Sequence, residues 1–184
     1  GINSKEYSLK RLRESIGFVP QKALLFSGTI EENLRFGKED AGLEEMKKAA
    51  DFAVATEFIG KLDGEFTHEL MQGATNLSGG QKQRLSMARA FIRQPNILVL
   101  DDSTSAIDAI SEASVQQVLK QCYPNTTKFI ISSKVSSIID ADQILVLDDG
   151  RIKASGSHEE LLLTSSIYRE IYETQNGKGV LSYE

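Results

Sequence analysis

The most informative segment for chemistry is Leu77–Gln81, which reads Leu-Ser-Gly-Gly-Gln. Its two glycines, Gly79 and Gly80, would let the backbone approach a ligand closely. The helix predicted to follow would present unpaired N–H groups and the positive end of its dipole, which suit a phosphate. Ser78 could cap this helix and donate its hydroxyl to a phosphate oxygen, and Gln81 adds a neutral donor at the same edge. The segment therefore predicts a phosphate contact.

Three further candidate residues come directly after predicted strands. The apolar run Ile97–Leu100 predicts a strand buried on both faces, and Asp101 and Asp102 follow it. Gln21 follows the predicted strand Ile16–Val19, which a proline ends. Ligands of parallel α/β sheets gather at the carboxyl ends of the strands, so we expect chemistry at these residues and after the next buried strand. Taken singly, a strand ending in aspartate is common and a loop glutamine usually faces solvent.

The apolar periodicity of the chain predicts the elements that must position these residues. Helices are predicted at residues 9–14, 31–34, 43–59, 81–93, 112–122 and 135–139, and strands at 16–19, 97–100, 128–131, 144–147 and 151–154. Asp149-Gly150 predicts a hairpin turn, and Ser157 with Glu160 predicts a capping box that opens a helical tail. An α-rich segment followed by alternating strands and helices predicts the α/β class, with a three-layer body, a parallel sheet core and an α-helical subdomain.

The composition argues against two classes of function. The length of 184 residues suits one domain, and 40% hydrophobic with 26% charged residues is ordinary for a globular chain. No apolar stretch approaches the roughly 20 residues that span a bilayer. The net charge of −5 argues against a nucleic-acid partner. A single cysteine and no signal peptide favour the cytosol, and the opening residues, which lack an initiator methionine, suggest a piece of a longer polypeptide.

The longer segment Asn76–Arg84, which reads NLSGGQKQR, is similar to the signature motif of ABC-type ATPases. A bare Ser-Gly-Gly would more simply be a loop before a helix. Five matching residues followed by Lys-Gln-Arg favour the nucleotide-binding interpretation instead. The resemblance extends over nearly the whole chain, and it implies that Ser78, Gly79, Gly80 and Gln81 contact ATP.

Further motifs agree with this resemblance in order and spacing. Asp101 resembles the carboxylate at the end of the Walker B strand, which holds Mg²⁺. Gln21 resembles the Q-loop glutamine, which contacts the metal and the attacking water and senses the membrane domain. The segment with Ser105, Ala106 and Asp108 resembles the D-loop, which in the family crosses to the active site of the opposite subunit.

The resemblance implies a P-loop NTPase-like (RecA-like) fold. Residues 22–92 would form the helical subdomain with the signature motif, and residues 1–21 and 93–184 would form the RecA-like body. The segment Leu24–Gly37 is similar to exporter-type members, so the implied function is the ATP-binding domain of an exporter, with ATP and Mg²⁺ as cofactors. The implied partners are a second ATP-binding subunit and a transmembrane domain of the same polypeptide, at the cytoplasmic face of the cell membrane.

The sequence departs from the family pattern at several points. The phosphate-binding loop G-x-x-x-x-G-K-[ST] is absent from the 184 residues, and the family places it upstream. Asp102 stands where the family has the glutamate that polarises the attacking water, and aspartate is one methylene shorter. Ser133 stands where the switch histidine contacts the γ-phosphate, and serine cannot carry positive charge. Gln72-Gly73 replaces a frequent Glu-Arg-Gly before the signature motif.

Two weakened positions in one site predict a site that holds nucleotide rather than hydrolysing it quickly. The intact signature motif would complete a competent site on a partner, so we expect one half of a heterodimeric exporter with asymmetric sites. The alternatives are a soluble ATPase of the same superfamily and a non-hydrolysing structural partner subunit. We expect the isolated chain to bind ATP weakly or not at all, and whether it is an enzyme by itself stays open.

Overall fold

The computed structural model describes residues 3–177, and the chain divides into two compact units between Ile131 and Ser132. The first unit contains the strands β1 Ile16–Val19, β2 Gly28–Thr29, β3 Glu69–Leu70, β4 Ile97–Asp101 and β5 Thr127–Ile131. Its helices are α1 Leu9–Glu14, α2 Ile30–Arg35, α3 Leu43–Phe52, α4 Thr56–Ile59, α5 Gly79–Phe91 and α6 Ala109–Gln121. The second unit contains β6 Ile144–Asp148, β7 Arg151–Gly156, α7 His158–Thr164 and α8 Ser166–Gln175.

A parallel sheet in the strand order β1-β4-β5 lies at the centre of the first unit. Val19 pairs with Leu100, and Asp101 pairs with Ile131, so the three strands end at one edge. The sequence of β4 is an unbroken apolar run apart from its final aspartate, as is usual for a strand in the middle of a parallel sheet. Residues that follow the three strands are therefore collected at this carboxyl edge.

Helix α5 packs against β1, α2 and α3 and contributes much of the core. Leu85, Met87 and Phe91 are almost fully buried on it. Gly17 of β1 allows the close approach of this helix, because a Cβ there would lie 3.2 Å from the carbonyl oxygen of Ala90. Packing of α5 thus fixes the helix relative to the strands whose ends form the site.

The second unit is built on an antiparallel hairpin of β6 and β7. Asp149 and Gly150 form its two-residue turn with φ of 48° and 69°, the backbone of a type I′ turn. Ser157 and Glu160 form the capping box that opens α7. A small buried cluster holds the unit together: Val135, Ile144, Val146, Leu161 and Tyr168.

The structure confirms the α/β class and most of the predicted elements. The first helix and the first strand begin and end at the predicted residues, and the hairpin turn and the capping box are present. The predicted helix at 135–139 is only a 3₁₀ turn, Val135–Ser137. No helix within residues 3–177 is long and apolar enough to cross a membrane. The division into a helical subdomain at 22–92 and a body stays a prediction.

The continuous helix predicted over Leu43–Ile59 is wrong, because α3 and α4 are separate helices. Val54 lies between them with φ of 55°, a left-handed conformation that is rare for a β-branched residue. Its carbonyl accepts a hydrogen bond from Arg84 at 3.3 Å, and its neighbours Ala53 and Ala55 are fully buried. Tertiary packing therefore overrides the helical pattern at this point.

Candidate nucleotide-binding site

Gln21 and Asp102 meet at the carboxyl edge of the parallel sheet. They follow the neighbouring strands β1 and β4, and Nε2 of Gln21 donates a hydrogen bond to Oδ2 of Asp102 at 3.3 Å. Gln21 is exposed and Asp102 is partly buried. Because the amide nitrogen is turned toward the carboxylate, Oε1 of Gln21 is left to accept a hydrogen bond or to ligate a cation.

The backbone around Asp102 fixes the direction of its carboxylate. Asp102 has φ of 43°, in the left-handed region that aspartate enters more readily than most residues. Its N–H donates to the carbonyl of Ile131 at 2.8 Å. Its carbonyl accepts from the hydroxyl of Ser105 at 2.8 Å and from the N–H of Ser105 at 3.3 Å. Both backbone polar groups of Asp102 are thus hydrogen-bonded, which restricts the motion of its backbone.

Ser78 caps helix α5, as the sequence predicts. Its hydroxyl accepts from the N–H of Gln81 at 3.3 Å, and Oε1 of Gln81 accepts from the N–H of Ser78 at 2.9 Å. This reciprocal pair is a capping box, and it leaves Nε2 of Gln81 and the hydroxyl hydrogen of Ser78 as side-chain donors at this helix end. The first turn of α5 carries no acidic residue, so its dipole and remaining N–H groups suit an anion.

The two glycines of the signature motif have different surroundings. A Cβ on Gly80 would lie 3.0 Å from the carbonyl oxygen of Ala106, so this glycine permits close packing within the first unit. A Cβ on Gly79 would meet no described atom within 4 Å. Gly80 is therefore needed for packing against Ala106, whereas Gly79 has open space beside it.

The segment Ser105–Asp108 is tied down at its end by a helix cap. The Asp108 carboxylate accepts from the N–H of Ser111 at 2.9 Å and from its hydroxyl at 2.7 Å, and it begins α6. These two bonds hold the pKa of the Asp108 carboxyl below its ordinary value, and the bond from the Ser111 N–H has the larger effect. Arg84 of α5 donates to the Ser111 hydroxyl at 3.3 Å, which links the cap of α6 to α5.

The oxygen ligands available for a metal are few. Within residues 3–177 no group of three or more His, Cys, Asp and Glu side chains is placed to hold a metal ion. Asp101 ends β4, and Oε1 of Gln21 takes no part in the hydrogen bond to Asp102. Two such oxygen donors fit Mg²⁺, which commonly takes one or two protein ligands together with water and phosphate oxygens.

Ser133 belongs to the second unit. Its carbonyl accepts from Nε2 of Gln175 at 2.7 Å, and Oε1 of Gln175 accepts from the N–H of Val135 at 2.9 Å. The glutamine of α8 thus fixes the backbone around Ser133. The role of Ser133 toward a nucleotide stays a prediction.

Sequence reasoning missed the polar side chains that hold the loop after β1. Three residues of α2 and α5 donate to backbone carbonyls of this loop: Asn33 to Phe26, Gln83 to Pro20 and Arg89 to Leu24. Asn33 offered a signal, since it lies beside Leu34 on an apolar stretch of α2 and is 1% exposed. Gln83 offered none, because it stands among Lys82 and Arg84 in a polar run.

Comparison with known proteins identifies the family. Residues 1–105 match the ABC transporter family. The chain belongs to the ABC transporter family. Its parallel sheet with flanking helices matches the P-loop NTPase fold of ABC ATP-binding domains, and with it the predicted fold class is confirmed.

The relatives of this ABC chain include bacterial and plant proteins. It is 50% identical over 167 residues to the uncharacterized ABC transporter ATP-binding protein YfiB of Bacillus subtilis (strain 168), covering 91% of the chain and 29% of YfiB. It is 43% identical over 175 residues to the Beta-(1-->2)glucan export ATP-binding/permease protein NdvA of Rhodopseudomonas palustris (strain BisA53), covering 95% of the chain and 29% of NdvA. The chain therefore spans about three tenths of the length of these relatives.

A solved structure gives the same result. The structure of a bacterial Atm1-family ABC exporter with ATP bound matches with a TM-score of 0.87 and 36% identity, covering 91% of this chain and 30% of that one. The resemblance to exporter ATP-binding domains predicted from the sequence is thus confirmed.

Proposed function

We propose that this chain is the ATP-binding part of an ABC exporter, in which ATP binding and hydrolysis at a dimer interface are coupled to transport across a membrane. The family and the exporters among its relatives support this proposal. The chain would lie at the cytoplasmic face of the membrane, joined to a transmembrane domain. Its nucleotide would be ATP with Mg²⁺.

The observation that carries the proposal is the amino terminus of α5. Ser78 caps it, its first turn carries no acidic residue, and Gly79 has open space beside it. In the proposed dimer this end contacts the terminal phosphate of ATP bound by the second subunit, through N–H groups and the side chains of Ser78 and Gln81. Ser105, Ala106 and Asp108 would lie at the same interface.

The chain's own catalytic edge is proposed to hydrolyse ATP poorly. Asp102 is one methylene shorter than the glutamate of the family, and a displacement of about 1 Å in such a group can cost on the order of 10²-fold in rate. Its carboxylate also accepts the hydrogen bond of Gln21, and its backbone is fixed at Ile131 and Ser105. Ser133 in place of a histidine removes a positive charge. The proposal is therefore a heterodimer with one slow and one competent site.

The test is ATP hydrolysis by the assembled transporter with the Walker B acid of each subunit replaced in turn. Asp102→Asn should leave the rate within about twofold of the wild type, while the matching change in the partner should lower it by about 10² or more. Ser78→Ala should lower the rate about as much as the partner's change, because it acts in the partner's site. Ser157→Ala, which removes a similar helix cap from α7, is the matched control and should leave the rate unchanged. If the transporter were a homodimer with robust ATP hydrolysis that Asp102→Asn does not alter, the proposed asymmetry of the two sites would be wrong. The family assignment would still hold.

The second candidate is a non-hydrolysing partner subunit, and it is favoured by Asp102 and Ser133 together. Under this function only the other subunit would hydrolyse ATP and this chain would take no part in that site, so neither Asp102→Asn nor Ser78→Ala would change the rate. Equal loss on substituting either subunit would instead favour two competent sites.

A further inference from the structure

Helix α5 carries the signature motif at its start. Two polar side chains farther along it donate hydrogen bonds to the loop that contains Gln21. Nε2 of Gln83 donates to the carbonyl of Pro20 at 2.9 Å, and Nη2 of Arg89 donates to the carbonyl of Leu24 at 2.6 Å. The two acceptors lie on either side of Gln21 in the sequence. One rigid helix therefore anchors the loop both before and after the glutamine.

The bond to Pro20 is partly buried, and it gives the Pro20 carbonyl a partner that the sheet does not supply. The pairing of β1 with β4 ends at Val19, so the Pro20 carbonyl lies just beyond the ladder. Gln83 is only 2% exposed, so water competes little for this bond. A buried amide without a partner is costly, so the Gln83 side chain favours the position of the loop in which it reaches the Pro20 carbonyl.

A third side chain closes the other end of the loop. Asn33 accepts from the N–H of Phe26 at 2.9 Å and donates to its carbonyl at 2.9 Å. Between these anchors Gln21 is exposed and bonds to Asp102 across the sheet edge. The position of its amide thus depends on the backbone that Gln83 holds.

We infer that Gln83 is a positioning residue, which ties the helix beginning at Ser78 to the loop of Gln21 and keeps the Gln21 amide within hydrogen-bonding distance of Asp102. A shift of the amino terminus of α5 would then be passed directly to Gln21. Contact of a phosphate with the start of α5 would therefore change the position of the Gln21 side chain. The consequence for hydrolysis rests on the proposed function, whereas the anchoring itself does not.

The anchoring is tested by ¹⁵N relaxation of the backbone amides of Gln21, Lys22 and Ala23 in the 184-residue chain. In the wild type they should be ordered, with order parameters near 0.85, and in Gln83→Met they should fall below about 0.6. Gln117→Met makes the same chemical change at an exposed position of α6 and should leave these values as in the wild type. Should Gln83→Met fail to fold, Gln83→Asn keeps an amide but withdraws it by one methylene, and the same loosening is expected. Wild-type order in either folded variant would overturn the inference.

The positioning role is tested in the assembled transporter that carries Asp102→Glu, which gives the chain's own site a full-length acid. The Walker B acid of the partner is replaced in the same assembly, so that the measured hydrolysis comes from the chain's own site. Gln83→Met should lower kcat about tenfold or more while KM for ATP stays within about twofold. The same substitution should have no further effect once Gln21 is replaced by alanine, because Gln83 acts through Gln21. An equal effect in both backgrounds would overturn the positioning role. Absence of hydrolysis in every form would count against the proposed function, and the relaxation result would still decide the anchoring.

Discussion

The two adjacent glycines of the signature motif meet different constraints. Gly80 faces the carbonyl of Ala106 at a distance that a Cβ rarely tolerates, whereas Gly79 faces open space. Both lie in the first turn of α5, so a change to alanine alters the helix backbone in the same way at either position. Any difference between the two substitutions therefore reports on packing against Ala106.

We expect Gly80→Ala to be less stable than Gly79→Ala by about 1 kcal/mol in free energy of unfolding, because the Ala106 carbonyl must move away from the new methyl group. Urea denaturation of the two variants and the wild type measures this difference. Equal stability of the two variants would show that Ala106 yields at no cost.

At the same scale, the sequence predicted which side chains gather but not how they are held. Gln21 and Asp102 follow neighbouring parallel strands, and that pattern alone brings them to one edge. The left-handed backbone of Asp102 and its bonds to Ile131 and Ser105 depend on the strand register, which no local pattern encodes.

Among the elements, helix α5 depends on its cap for the geometry of its first turn. Ser78→Ala should lower the free energy of unfolding by about 1 kcal/mol, the usual cost of losing a serine cap. Thermal unfolding measures this loss, and Ser78→Asp, which keeps an accepting oxygen at the cap, should retain the stability of the wild type. A stable alanine variant would mean that water or Gln81 satisfies the same N–H groups.

Helix α6 gives the chain a defined response to acid. The pKa of Asp108 is lowered in the folded state by the Ser111 N–H and hydroxyl, so its contribution is fully present above the ordinary aspartate value of 3.8 and is lost as pH falls through the lower folded value. We expect the stability of the wild type to decline below pH 3.8 more steeply than that of Asp108→Asn. Chemical denaturation between about pH 3 and pH 6 measures both slopes. Parallel slopes would contradict this role of the cap.

Element boundaries were predictable where a local signal exists. Proline ends β1, and Ser157 with Glu160 begins α7, each as predicted. Helix α6 begins at Ala109 rather than at residue 112, because Asp108 acts as its cap. The break at Val54 and the bond of Gln83 to Pro20 could not be predicted, since both depend on contacts about 30 and 63 residues apart in sequence.

At the scale of the whole molecule, the two units differ greatly in core size. The buried cluster of the first unit has 28 described residues and that of the second has five. We expect residues 1–131 to unfold cooperatively when expressed alone, whereas residues 132–184 should show little helical circular dichroism, because so short a chain buries too little apolar surface. A folded second piece would contradict this expectation.

Nucleotide affinity is also a property of the whole chain. The chain contains the signature motif, Asp101 and Gln21 but no G-x-x-x-x-G-K-[ST] sequence to hold the β- and γ-phosphates. Calorimetric titration of the isolated 184-residue chain with Mg-ATP should therefore give a Kd above roughly 1 mM, a binding free energy weaker than about 4 kcal/mol. Micromolar affinity would contradict it.

The backbone of the loop after β1 is held at Pro20, Leu24 and Phe26 by side chains that belong to α2 and α5. The path of the loop therefore depends on residues of two helices, while the side chains of Lys22 and Leu24 are exposed. Lys22 and Leu24 can therefore be exchanged without removing any of these hydrogen bonds, so the surface that the loop presents to a neighbouring protein can change while the path of its backbone is kept.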